Sequence, residues 1–211
     1  MELDHVFLRA RIGAPEAQAL RDLGLAEGSP NTHPGQGTAN RRFFFGNAYI
    51  ELLWIEDDAE AASDVTRPTQ LAERLRPGSA SPFGICFRPS PGPATVPFPA
   101  WDYRPAYLPA GMAIQVGRDV PLAEPMWFYL AQARAPQLVP EHAAGLRAIT
   151  SVTVTVPGVS RWSAAARAAM EEGGVVLVEG EAHCLEIGFD GAASGRIHDF
   201  RPMLPLIFKL P

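Results

Sequence analysis

Two side chains able to hold a metal or move a proton stand inside apolar, strand-like segments. His5 lies in Leu3-Asp4-His5-Val6-Phe7-Leu8, and Glu51 lies in Tyr49-Ile50-Glu51-Leu52-Leu53-Trp54-Ile55. A strand that is apolar on both faces is buried on both, and a buried carboxylate needs a cation or a hydrogen-bond donor beside it. Two readings of Glu51 are open. Either it pairs with Arg41 or Arg42 of the preceding strand, or it is a ligand or base within a pocket. Period-two alternation puts Leu3, His5 and Phe7 on one face and Asp4, Val6 and Leu8 on the other. A neutral imidazole and a carboxylate both suit a divalent metal. The plain alternative for His5 is a core histidine satisfied by its neighbours.

Beside these stands the polar loop His33-Pro34-Gly35-Gln36-Gly37-Thr38-Ala39-Asn40. Its two glycines permit positive φ or close backbone approach, and His33, Gln36, Thr38 and Asn40 supply donors and acceptors. A surface loop in which Thr38 and Asn40 bond their own backbone is the plain alternative. It is no phosphate-binding fingerprint, because it lacks GxGxxG and leads into a strand. With no Ser-His-Asp arrangement, Walker loop or zinc-finger spacing legible, acid–base work falls to His5, His33 or Glu51. Met126-Trp127-Phe128-Tyr129 is bulky on both faces, so Trp127 is a candidate wall for an apolar ligand. Cys86 and Cys184 are far apart and lack CxxC spacing, which makes them small buried hydrophobes.

The elements that must position these groups fall into three segments. The first reads as a strand from Leu3, a helix over Pro15–Leu23, strands over Ala39–Phe45 and Ala48–Ile55 joined by the hairpin signal Gly46-Asn47, and a short helix at Pro68–Leu75. The second begins with Phe83–Arg88. Pro89, Pro91, Pro93, Pro97 and Pro99 then exclude the helix expected next, and strands resume at Ala106–Leu108, Met112–Val116 and Met126–Ala131. Pro89–Pro109 reads as an ordered loop over one end of a cleft, its prolines lowering the entropy lost on ordering. The third segment holds a strand at Ile149–Val156, a helix at Ser160–Glu172, strands at Val175–Val178 and His183–Phe189, and a closing strand at Met203–Leu210.

LDHVF, HPGQGTAN and AYIELLWI together resemble the glyoxalase-like branch of the vicinal oxygen chelate superfamily. The resemblance is specific over residues 3–56. It implies an α+β fold of βαβββ units forming curved mixed sheets around a cleft, with helices on the outside. Residues 1–135 would form a paired βαβββ region, and 145–211 a third, shorter unit packed on it. In metal-dependent relatives a His from a unit's first strand and a Glu from its last bind the ion, and His5 and Glu51 stand at those positions. The family plan, laid over the third segment, puts Ser151 opposite His5 and Glu186 opposite Glu51. The spacing is shorter there, and the register stays open. The resemblance thus implies a divalent metal (Mn, Fe or Zn) on His5, Glu51 and Glu186, with Glu51 also as catalytic base. His33, Thr38, Asn40, Arg42 and Trp127 are the expected substrate-binding residues. The activity implied is metal-assisted lyase, isomerase or dioxygenase chemistry on a small organic molecule. The alternative is a metal-free protein of the same fold that sequesters one.

Composition fits a substantial core. Of the 211 residues 47% are hydrophobic and 19% charged, enough to bury a core as one domain or two small ones. No apolar run approaches the ~20 residues of a transmembrane helix. A strand-like MELDHV argues against an export signal, and a cytoplasmic protein off the membrane is expected. A net charge of −5 without a Lys/Arg cluster argues against nucleic acid. Three units leave one without an internal mate, so a homodimer is expected.

Overall fold

β1 (Glu2–Arg9) is apolar on both sides because it lies at the centre of a sheet with cover on each face. In this computed structural model, which describes residues 1–91, 95–192 and 195–211, the chain continues through α1 (Ala17–Asp22), β2 (Asn31–His33), β3 (Thr38–Phe44) and β4 (Tyr49–Ile55). α2 (Asp58–Ala61), a 3-10 turn at Arg67–Thr69 and α3 (Leu71–Leu75) lead to β5 (Phe83–Arg88), β6 (Ala100–Tyr103), β7 (Ile114–Gly117) and β8 (Met126–Tyr129). These strands form one eight-stranded sheet in the order β2-β3-β4-β1-β5-β8-β7-β6. The order is symmetric about the β1–β5 junction. β1 pairs parallel with β4, β5 parallel with β8, and β1 and β5 meet antiparallel. This is an α+β fold of paired units with a curved mixed sheet.

The second unit has no helix between β5 and β6 among the described residues; Pro93 falls within 92–94, outside them. The strand expected at Ala106–Leu108 is displaced to β6. Pro105 and Pro109 withhold their N–H groups from any ladder, and their carbonyls instead accept Leu108 N (3.1 Å) and Met112 N (3.1 Å) in successive turns.

β9 (Ile149–Val156), α4 (Ala164–Glu171), β10 (Val175–Glu179), β11 (Cys184–Phe189), β12 (Arg196–Asp199) and β13 (Leu206–Leu210) build a five-stranded sheet ordered β10-β9-β11-β13-β12. Its connectivity is not that of one shortened βαβββ unit. β10 and β9 are parallel, β9 and β11 antiparallel, β11 and β13 parallel, β13 and β12 antiparallel. That sequence of senses repeats β4-β1-β5-β8-β7 of the first sheet. The third segment is therefore a trimmed pair of units.

One apolar cluster joins the two sheets. Val6, Leu8, Ile50, Leu52, Ile85, Phe87 and Trp127 meet Val152, Val154, Leu185, Ile187 and Phe208, together with Ala17 and Leu20 of α1 and Ala165, Ala166 and Ala169 of α4. The five-stranded sheet is covered from within the chain, so the unpaired unit from which a homodimer was expected does not exist. A second cluster, with Phe7, Leu53, Leu71, Cys86, Met126 and Phe128, lies on the opposite face of the eight-stranded sheet. That face holds the cleft.

Candidate functional site

A cavity of ≈170 Å³ opens on this concave face, and its two walls differ. The first unit contributes His5, His33, Gln36, Asn40, Arg42 and Glu51; the second contributes Ile114, Met126, Phe128 and Leu130 with Tyr103 and Tyr107. The second unit's wall carries no carboxylate and no imidazole.

His5 and Glu51 come together. His5 Nδ1 donates to Asp4 Oδ1 at 2.7 Å, and Nε2 stands 3.6 Å from Glu51 Oε2. The ring is stacked on Tyr49 (centroids 4.4 Å apart) and met edge-on by Phe128 at 5.3 Å, so its orientation is fixed. Asp4 reaches His5 because of an irregularity in the β1–β5 ladder. The register shifts between Leu3 and His5, and a bulge re-aims side chains that strict alternation would separate. Arg88, itself buried, stands behind Asp4 with Nη1 3.6 Å from Oδ2 and Nη2 2.9 Å from Glu2 Oε2.

Glu51 Oε1 accepts from Asn40 Nδ2, and Asn40 Oδ1 accepts from the amide of Asn31 (2.7 Å). Neither neighbouring arginine pairs with Glu51. Arg41 forms its ion pair with Glu27. Arg42 donates to Ser29 O at 2.9 Å and lies over the rings of Phe44 and Tyr49, 5.0 and 5.9 Å from their centroids. Burial first, then the charges of Glu51 and Asp4, push the Tyr49 phenol well above its ordinary value. Burial does the same to the Cys86 thiol.

The HPGQGTAN loop closes one end of the cleft. Thr38 Oγ1 receives Gln36 Nε2 (2.7 Å) and meets His33 Nδ1 (2.8 Å). It lies behind the cleft wall and supports the two residues that face the cavity. Burial lowers the His33 pKa, and the nearby Glu51 charge opposes that shift. Gly37 takes φ +75°, and a Cβ there would stand 2.3 Å from Asp57 O, so only glycine fits. From the far edge of the sheet the Tyr107 ring meets His33 at a tilt (centroids 4.8 Å apart), and its hydroxyl donates to Gln36 Oε1 at 3.4 Å. These contacts join loops of both units across the mouth of the half-barrel, where Tyr107 and Leu108 of the proline-rich segment line the cavity.

Two expected site residues lie elsewhere. Trp127 points to the outer face, fully buried in the shared core, and donates Nε1 to Glu124 Oε2 at 3.1 Å. Glu186 is on β11 of the other sheet, on its outward face, paired with Lys209 Nζ at 2.6 Å. It contributes nothing to a site at His5. A ligating set the sequence reading missed is Asp4, His5 and Cys86, whose donor atoms lie within 4.8 Å of one another. This buried group has the spacing to hold a metal ion. The Asp4-His5 pair was visible as adjacent letters, but only the bulge turns the carboxylate toward the ring.

No helix among the described residues is long and apolar enough to cross a membrane. No curated protein matches the chain. A crystal structure titled as a hypothetical protein from Staphylococcus aureus shares the fold, with a TM-score of 0.55 at 13% identity over 100% of this chain and 99% of that one. The family model described as "Glyoxalase-like domain" matches residues 3–96, the stretch from β1 through β5 that carries His5, Asn40 and Glu51. Over that stretch the chain is similar to the glyoxalase-like domains of the vicinal oxygen chelate superfamily.

Proposed function

We propose that the cleft binds a small amphipathic organic molecule, its hydrogen-bond donor seated between His5 Nε2 and Glu51 Oε2 and its apolar body along Met126 and Phe128. One observation carries this reading. In the neutral ring, the proton on Nδ1 goes to Asp4, so the Nε2 lone pair faces a carboxylate oxygen 3.6 Å away in a buried site. Two acceptors facing one another call for a donor or a cation between them. Asn40 on Oε1 and Asp4 on Nδ1 fix both acceptors in advance, which limits the ordering cost of binding.

Thermal-shift titration with benzylamine, benzyl alcohol and anisole, which has no hydrogen-bond donor, tests the reading. The amine and the alcohol should raise Tm saturably and anisole should not. Glu51→Gln should lose the effect, because its amide can itself donate to His5. Equal stabilisation by anisole, or by benzylamine in Glu51→Gln, would sink the proposal.

The same pair of acceptors supports a second reading, metal-assisted lyase, isomerase or dioxygenase chemistry. A Mn, Fe or Zn ion held there would supply Lewis acidity toward vicinal substrate oxygens. His5 Nε2 and Glu51 Oε2 would be its ligands, Asp4 would orient the imidazole as outer-shell carboxylates do, and Glu51 would take a substrate proton. The alternative set around Nδ1 is less suited, since Asp4 is already shared between His5 and Arg88. Elemental analysis of protein purified without chelator separates the readings. Stoichiometric metal that disappears in His5→Gln supports the enzyme, and none in the wild type leaves the metal-free binder.

A further inference from the structure

Outside the cleft, on the other side of α3, lies a second cavity of ≈340 Å³ between the Arg67–Thr69 turn, α3 and the β7–β8 connection. Arg74 lines it. This side chain is 1% exposed, forms no ion pair among the described residues, and leaves Nε without any partner. Its Nη1 donates only to backbone carbonyls, those of Leu122 and Glu124. A buried guanidinium without a carboxylate is rare, because its desolvation is offset only by good pairing. The carboxylate of Glu124 does not supply that pairing. It is spent on Trp127 Nε1 and on the amide and hydroxyl of Ser163.

Arg118 lines the same cavity from β7's end, its Nε on Ala100 O at 2.9 Å, and Trp101 forms a half-buried aromatic side of it. Asp119 is the single acid among the lining residues, so two cations face one anion in a chain whose net charge is −5. Burial lowers the Arg74 pKa to about 10, with Glu124 and Glu73 opposing the shift, so it is a cation at neutral pH.

We infer that this cavity is a second ligand site, which takes a small organic anion, a carboxylate or phosphate monoester, on Arg74 and Arg118 with its flat body against Trp101. The inference is independent of the reading of the cleft. Guanidinium groups bind both anions through paired N–H donors; Arg118 is exposed at the cavity, and the buried charge of Arg74, met by no carboxylate among the described residues, stands behind it.

Isothermal titration of the whole chain with phenyl phosphate, benzoate and inorganic phosphate tests it, with chloride at matched ionic strength as the control. One saturable site is expected for the aryl anions, and Trp101 adds a fluorescence readout. Arg118→Gln, at an exposed position, should weaken binding about tenfold, as expected for losing one charge-assisted contact. Arg74→Met should abolish it, and Arg118→Gln keeps the test decisive if that variant does not fold. Arg42→Ala, in the cleft, should leave binding unchanged. No saturable binding to the wild type, or loss in Arg42→Ala with retention in Arg118→Gln, would overturn the inference.

Discussion

The two sheets share five strands in the same order and with the same senses, yet among the described residues the eight-stranded one alone encloses a cleft of this kind. The eight-stranded sheet adds β2 and β3 at one edge and β6 at the other. These extensions, with the loops at His33 and Tyr107 that meet across the mouth, turn an open face into an enclosed one. In the five-stranded sheet the corresponding face stays in solvent. Ser151 is exposed there, Val176 is 52% exposed, and Glu186 pairs with Lys209 at the surface. The same backbone plan therefore gives opposite chemistry. A carboxylate on the open face is a solvated charge of little consequence. On the enclosed face Glu51 is 5% exposed and needs Asn40, His5 and a ligand. Enclosure makes the polar residue expensive, and the expense is what marks it as functional.

The largest effect is expected where the two sheets are tied together. Glu124, fully buried, accepts Trp127 Nε1 from the first sheet, and Ser163 N (2.7 Å) and Oγ (2.6 Å) at the start of α4. Glu124→Ala strands these donors and should cost about 3 kcal/mol, the usual range for a few unmet buried groups. Urea unfolding followed by fluorescence should show one transition, since Trp127 and Trp162 report opposite sides of the tie. Two separate transitions in the wild type would mean that the sheets are independently stable bodies and that the comparison joins two proteins rather than two parts of one.

The contrast also explains what could be read in the letters alone. His5 and Glu51 were conspicuous because each is a single polar residue in a strand apolar on both faces. The paired units were legible from hairpin and proline signals. Strict alternation puts Asp4 on the face away from His5, and the irregularity between Leu3 and His5 breaks that alternation. Trp127 was misplaced for a different reason. MWFY is bulky on both faces, and period-two alternation separates Met126 and Phe128 from Trp127 and Tyr129 without saying which pair meets the cleft. Glu186 looked like a second Glu51 because both have apolar neighbours. Only the pairing shows that one sheet is covered on both faces and the other on one. The unpaired Arg74 carried no signal, since its burial depends on a turn and a connection far away in the chain.

A smaller, pH-dependent effect is expected at the connector between the sheets. His142 Nδ1 accepts the Ala26 amide at 3.0 Å, while Nε2 donates to Phe44 O at 2.9 Å. A ring that must accept at one nitrogen has to stay neutral. Burial lowers its pKa from 6.5, with the hydrogen bond to Phe44 O opposing, so the unfolded chain takes up a proton more readily than the folded one. The contribution is whole above the ordinary histidine value and is lost as pH falls below it. His33 and His183 shift in the same direction. Stability should decline from pH 7 to 5, and His142→Gln should flatten part of that slope. An unchanged slope in His142→Gln would assign the acid sensitivity to the other two histidines.

The smallest effect tests the comparison most directly, because it pairs the same substitution on the two sheets. Glu186→Gln removes a surface ion pair whose partners are 27% and 45% exposed. Water and salt already screen both charges, and such pairs are worth at most about 0.5 kcal/mol. Thermal melts of Glu186→Gln should coincide with the wild type, more closely still in high salt. Glu51→Gln should likewise fold, since its amide oxygen can accept from Asn40 while its NH2 meets His5. The two variants should differ in ligand response alone, with benzylamine stabilising Glu186→Gln and not Glu51→Gln. If Glu186→Gln proved the more damaging change, the open face of the five-stranded sheet would have to be a functional surface, and enclosure would not be what separates the two sheets.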